Sequence, residues 1–194
     1  MLITLDHTVY AVKPSRDEFK RLMTCMKKAQ PQEVSKHELL NHISAGKSFI
    51  GGAFTNELNS LISWQVAALD FDNETKVLDA DGKPLKDEKG HDLKRPLLPG
   101  EDGFISPFEA LDRCESLGVT PFAMYKTLRY SKENPRFRLL FDFSETTNDE
   151  GIARAVIVTL QELFPEADRS CKNPNRIFLG TDKTVWAICE AWFI

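Results

Sequence analysis

The chain of 194 residues is 42% hydrophobic and 28% charged, which fits a soluble domain with a core of its own. No apolar run approaches the ~20 residues that cross a bilayer, and the N terminus lacks a secretory pattern, so we expect a cytoplasmic protein. The net charge of -4 excludes a surface that is basic throughout but allows a local basic groove. The four cysteines are widely spaced and predict neither a zinc site nor a disulfide framework.

The first part of the chain predicts one strand and two helices. The strand is expected at residues 2–12 and the first helix at 14–30, with acidic residues in its first turn and lysines in its last. The second helix is expected to begin after Ser35, which can form a capping box with Glu38, and to end at Gly46. These elements predict a small N-terminal α/β lobe.

From residue 65 the predicted elements follow the order β-α-β-β-α-β, the split arrangement of ferredoxin-like and RNA-recognition folds. The six segments are the strand 65–72, the helix 106–118, the strands 121–127 and 136–143, the helix 148–164 and the strand 176–180. A further strand at 184–193 is expected to extend the sheet. We therefore expect an α+β fold with lobes at 1–64 and 65–194. The second lobe contains an inserted, exposed hairpin at 74–103, in which "DADGKPLK" is followed by the near-duplicate "DEKGHDLK".

Charged residues share one face of two predicted strands. Because side chains alternate along a strand, Asp70 and Asp72 lie on the face opposite the apolar residues between them, and so do Arg136 and Arg138. The first and third strands of a split sheet are antiparallel neighbours, so these acids and arginines should meet on its open face. Paired carboxylates can hold divalent metal ions, and arginines bind phosphate oxygens with two parallel donors. The pattern indicates nucleotidyl transfer.

Three segments carry a more specific pattern: "ALDFDN" at 68–73, "YKTLRYSKENPRFRLLF" at 125–141 and "ADRSCKNPNRIFLG" at 167–180. In this order they resemble the archaeo-eukaryotic primase superfamily, and above all the primase-polymerase domains of phage, prophage and plasmid replication proteins. The resemblance extends from about residue 43 to about residue 180. It implies the primase catalytic fold, with an RNA-recognition-like sheet at its centre.

The resemblance also implies a set of metal-binding acids. Asp70 and Asp72 match the family's first acidic motif, and Asp168 best matches the third acid that follows the second helix. Asp142 is a reserve candidate because it projects from the same face of its strand, at the far end. The implied cofactor is Mg²⁺ or Mn²⁺ in a two-metal site.

The same resemblance implies a set of nucleotide-binding residues. The family's middle motif usually contains a histidine that contacts the incoming nucleotide, whereas here Tyr130 stands at that position, with Arg129 just before it. Tyr130 is equally compatible with a packing role. Arg136, Arg138 and Arg176 would help to hold the phosphates or the template. The missing histidine places efficient nucleotide binding in question.

The resemblance implies a DNA primase or polymerase that adds nucleoside triphosphates to a 3′ hydroxyl on a single-stranded DNA template. A helicase in the same replication system is an expected partner. Two alternatives use the same residues. One is a replication-initiation or DNA-binding module that has lost synthesis, and the other is a metal-dependent nuclease.

Overall fold

The structure is a computed structural model that describes residues 1–55 and 58–188, and these residues form an α+β fold of four helices and antiparallel sheets. The helices are α1 Arg16–Lys28, α2 Lys36–Ser44, α3 Pro107–Leu117 and α4 Glu150–Leu163. The strands are β1 Leu2–Val9, β2 Gln32–Glu33, β3 Lys47–Ile50, β4 Gly52–Phe54, β5 Leu61–Phe71, β6 Glu74–Lys76, β7 Lys94–Pro96, β8 Ala123–Lys126, β9 Phe137–Thr147, β10 Ile177–Phe178 and β11 Val185–Ala187. None of the helices in the described ranges is long and apolar enough to cross a membrane.

The helix ends follow local sequence rules. The capping box predicted at Ser35 is present, and a second box begins α3 at Ser106. α3 ends at Gly118, whose φ of 66° is in the left-handed region that glycine tolerates. Gly46 has a φ of 75° just beyond α2, as expected. The helix positions are therefore set by residues next to each end.

A five-stranded sheet with the order β11-β8-β9-β5-β4 forms the centre of the molecule. β5 and β9 are antiparallel neighbours, with Asp70 opposite Arg138 and Phe71 opposite Phe137. This register confirms the predicted pairing of the acids with the arginines. On one face, Phe71 and Phe137 stack with ring centroids 4.5 Å apart and join the core beneath α3 and α4.

The sequence had suggested that the other face of this sheet is open, but part of its length is covered. A second sheet, with the order β10-β3-β1-β2, covers it. Val66, Ala68 and Tyr125 from the central sheet share a buried cluster with Ile3 and Phe49 from the second sheet. The apolar positions on this face precede Asp70, so the acids follow the covered part of β5.

The strand expected at 176–180 does not complete the central sheet. β10 instead pairs with β3 in the second sheet, with Ile177 opposite Ile50. The free edge of β5 is already taken by β4, because the chain crosses from one sheet to the other at Gly51. A Cβ atom added at Gly51 would lie 2.1 Å from the carbonyl oxygen of Val66, so this crossing requires glycine. The lobe boundary placed at 64/65 falls inside β5.

The insertion forms a two-stranded base, β6 and β7, that carries two successive turns. In each turn an aspartate, Asp79 or Asp87, accepts hydrogen bonds from the backbone amides two and four residues later. Gly82 and Gly90 follow with φ values of 76° and 80°. The near-duplicate sequence therefore builds the same turn twice. β11 extends the central sheet beside β8, as predicted, and residues 189–193 of that predicted strand lie outside the described residues.

Candidate functional site

A cleft of about 860 Å³ lies where the acidic end of β5 and the arginine-bearing start of β9 meet residues of α1 and of the segment around β10. Within the described residues, seven basic side chains and three carboxylates line it. The basic residues are Lys13, Arg16, Lys20, Arg129, Arg136, Arg138 and Arg176, and the acids are Asp70, Asp72 and Asp168. The chain as a whole carries a net charge of -4, so positive charge is concentrated here. Such a cleft favours a ligand with several negative charges.

The floor of the cleft is a ladder of acid–arginine pairs. Asp70 accepts a hydrogen bond from Arg138 at 2.8 Å, and Asp72 accepts one from Arg136 at 2.8 Å. Glu74 continues the alternation and also pairs with Arg136. Sequence reasoning missed Glu74, which follows the left-handed turn at Asn73 beyond the end of β5, where strand alternation no longer indicates the face of a side chain. Two neighbouring strands thus hold opposite charges in register.

Arg138 is only 7% exposed and has several partners. It donates to the Tyr125 hydroxyl and, at 3.2 Å, to the Leu179 carbonyl, and it lies between the rings of Tyr125 and Phe178. Burial alone would lower the pKa of this guanidinium, but the Asp70 carboxylate and the Tyr125 hydroxyl together outweigh that effect and the pKa is raised. Arg138 therefore fixes the orientation of Asp70.

Asp168 reaches the same cleft from the loop after α4. Its backbone amide donates to the carbonyl oxygen of Asp70 at 2.8 Å, which places the third acid beside the first. Its carboxylate accepts hydrogen bonds from the Ser170 amide at 2.9 Å and the Ser170 hydroxyl at 2.6 Å. Burial would raise the pKa of Asp168, but the Ser170 hydrogen bonds outweigh it and lower the pKa.

The ionised form of Asp168 is expected to stabilise the fold in a pH-dependent way. A carboxyl whose pKa is depressed in the folded state contributes fully above its ordinary pKa of about 3.9, and the contribution is lost as the pH falls through the folded value. Asp168→Asn should therefore reduce the free energy of unfolding at pH 7, and the difference from the native chain should narrow below about pH 4. Urea unfolding at pH 7 and pH 3 measures this. The same difference in the free energy of unfolding at pH 7 and at pH 3 would contradict this prediction.

The acids fit a hard divalent cation in their donor chemistry. Asp70 Oδ1 is buried and has no hydrogen-bond partner, so one carboxylate oxygen at the cleft has unused capacity to accept. Across residues 1–55 and 58–188, however, no group of three His, Cys, Asp or Glu side chains is already gathered to hold a metal ion. Asp70 and Asp72 instead accept hydrogen bonds from Arg138 and Arg136.

Two members of the predicted nucleotide-binding set have solvent-facing side chains at the cleft. Arg129 and Arg176 line it with side-chain exposures of 50% and 39%. Tyr130 is not among the lining residues, and Lys126 Nζ lies 4.2 Å from the centre of its ring. Asp142, the reserve acid, pairs with Lys36 at 2.8 Å and does not line the cleft.

Sequence reasoning missed the contribution of the N-terminal lobe. Lys13, Arg16 and Lys20 line the cleft together with residues more than fifty positions later in the chain. Burial and then the charge of Arg129 lower the pKa of Lys13. Lys13, just before α1, therefore lies near the arginines on the floor of the cleft. The available signal was the spacing of Arg16 and Lys20, which puts both on one face of a helix.

Asn73 connects the acids to the loops around them. It is buried with a φ of 46°, a conformation that asparagine tolerates better than most residues. Its side-chain amide donates to the carbonyl oxygens of Ile105 at 2.9 Å and Pro135 at 2.8 Å, and its side-chain oxygen accepts from the Ile105 amide. Asn73 therefore holds the ends of β5 and the segment before β9 together.

No protein-family model matches the chain, and no curated protein matches it either. Among solved structures, the AEP domain of the cyanophage S-2L primase-polymerase matches it over 87% of this chain and 69% of that chain. The TM-score is 0.43 and the sequence identity is 10%. A likeness at this level does not establish a family for the chain.

Proposed function

We propose that the chain is a nucleotidyltransferase that adds nucleotides to a 3′ hydroxyl on a single-stranded DNA template, as a primase or polymerase domain does. The observation that carries the proposal is the meeting of Asp70, Asp72 and Asp168 in a cleft whose other charged residues are basic. Carboxylates beside a concentration of arginines and lysines suit the handling of a metal-bound triphosphate.

The basic residues divide into two groups with different tasks. Arg136 and Arg138 are buried and paired with acids, so they orient Asp72 and Asp70. Arg129 is exposed at the cleft, and there its guanidinium can bind phosphate oxygens with two parallel donors. Positioning and charge neutralisation are the main demands of phosphoryl transfer.

Asp70, Asp72 and Asp168 would hold Mg²⁺ or Mn²⁺. When bound, such an ion would activate the attacking hydroxyl and neutralise charge on the leaving phosphate. Arg138 and Tyr125 keep Asp70 at the cleft, and the hydrogen bonds from Ser170 keep Asp168 ionised and in place. An expected helicase partner stays a prediction.

A primer-extension assay tests the proposal. A labelled primer on a single-stranded template is incubated with deoxynucleotides or ribonucleotides and Mn²⁺, with template-free and EDTA controls. We expect template-dependent, metal-dependent extension. No extension with either nucleotide class would overturn the proposal, and cleavage of the labelled DNA without nucleotides would favour a nuclease instead.

A second candidate is a DNA-binding or replication-initiation module that keeps the fold without synthesis. It is favoured by the engagement of Asp70 and Asp72 with arginines and by the position of Tyr130 outside the cleft lining. Calorimetry separates the two candidates. An enzyme that synthesises nucleic acid should bind a deoxynucleoside triphosphate with Mn²⁺. A pure binding module should bind single-stranded DNA and give no heat of binding with the metal–nucleotide pair.

A further inference from the structure

The lining of the cleft includes apolar residues in addition to its charged floor. The apolar lining residues are Pro14, Phe19, Met23, Leu128, Ile177 and Leu179. Phe19 is the aromatic residue among them, and its side chain belongs to α1. A cleft with a charged floor and apolar lining residues can recognise a ligand that is itself part anionic and part aromatic.

The helical spacing explains why Phe19 faces the cleft. One face of α1 carries Arg16 together with the residues three, four and seven positions later, which are Phe19, Lys20 and Met23. Leu22 is buried in the core on another face. Phe19 itself is 39% exposed, so the fold leaves much of its surface uncovered.

A single exposed phenylalanine is ordinary on a protein surface and would carry little weight alone. Phe19 differs because it lines the same cleft as Arg129, Asp70 and Asp168. At about 860 Å³, the cleft is within the usual size range of sites for small organic ligands, roughly 300–1,000 Å³. The space thus extends from the acid–arginine floor to an aromatic ring.

We propose that Phe19 stacks on the nucleobase of a nucleoside triphosphate whose phosphates lie at the basic floor of the cleft. This inference rests on the proposed function and adds a base-binding subsite to it. Arg16 and Lys20 line the same cleft from α1 and supply positive charge near the base. Stacking tolerates every base because each has a π face, so the subsite favours nucleotides over other polyphosphates without choosing among bases.

The test compares a nucleotide with inorganic tripolyphosphate, which has the phosphates but no base. Calorimetry in Mg²⁺ should show that the native chain binds the nucleotide about tenfold more tightly than tripolyphosphate. Phe19→Ala should lose this preference and keep its affinity for tripolyphosphate. Phe19→Trp should retain the preference, and its fluorescence should be quenched by the nucleotide but not by tripolyphosphate. Phe108→Ala is the matched control, because Phe108 is 76% exposed on α3 and does not line the cleft.

The outcomes separate this inference from the proposed function. Equal affinities of the native chain for nucleotide and tripolyphosphate would overturn the base-binding subsite and leave an anion-binding cleft. A preference that survives in Phe19→Ala would overturn it as well. Binding of neither compound would overturn the proposed nucleotide chemistry itself. An equal loss in Phe108→Ala and Phe19→Ala would also count against a role specific to Phe19.

Discussion

Asp70→Asn is expected to lower template-directed nucleotide incorporation by about 10²- to 10³-fold, the size of effect seen when one electrostatic group is removed from an active site. Asparagine keeps the shape of the side chain and can still accept a hydrogen bond from Arg138, but it removes the negative charge that a divalent cation needs. Asp70 is the acid whose Oδ1 is buried without a partner, so its loss should matter most. The rate of single-nucleotide addition to a labelled primer measures the effect.

Asp142→Asn is the matched control for this substitution. Like Asp70, Asp142 belongs to the central sheet, where it lies on β9, but its partner is Lys36 rather than a residue of the cleft. Its substitution should leave incorporation within a factor of about two, since it removes only one partly exposed ion pair. Urea unfolding of both variants verifies that they fold. A folded Asp70→Asn variant with the native rate would contradict the role given to this carboxylate.

Arg138→Met is expected to reduce the free energy of unfolding by about 3–5 kcal/mol, because breaking one side of a buried ion pair leaves the other charge uncompensated. The Asp70 carboxylate would lose its partner while it remains largely buried. The Tyr125 hydroxyl would lose a donor at the same time. Urea unfolding at pH 7 measures the change.

A double substitution distinguishes this cause from simple loss of packing. Asp70→Asn combined with Arg138→Met removes both charges of this buried pair, so it should recover part of the stability that Arg138→Met loses. Arg95→Met is the exposed control, since its pair with Glu101 lies at the surface and its removal should change stability little. Stability losses that simply add in the double variant would contradict the coupling.

Local rules in the sequence were sufficient for much of the fold. Capping boxes at Ser35 and Ser106 set the starts of two helices, and alternation along β5 and β9 set which side chains share a face. The antiparallel pairing of these strands then placed Asp70 opposite Arg138. These features depend on residues that are close in sequence or on neighbouring strands, so the pattern of a single chain reveals them.

Other features depend on how distant segments share space. The pairing of β10 with β3 follows from β4 occupying the edge of β5, and the role of Gly51 becomes apparent only once both sheets are in place. The burial of Arg138 likewise requires the second sheet, whose Phe178 packs against its guanidinium. The sequence predicted the helix α1 but could not show that Arg16 and Phe19 line the same cleft as Asp70.

The most direct measurement is a crystal structure of the chain with Mn²⁺, a non-hydrolysable nucleoside triphosphate and anomalous diffraction data. We expect an anomalous peak within coordination distance of carboxylate oxygens of Asp70 and Asp72, with the triphosphate against Arg129. A nucleotide bound elsewhere, or Mn²⁺ absent from these acids at saturating concentration, would contradict the assignment of the cleft to nucleotidyl transfer.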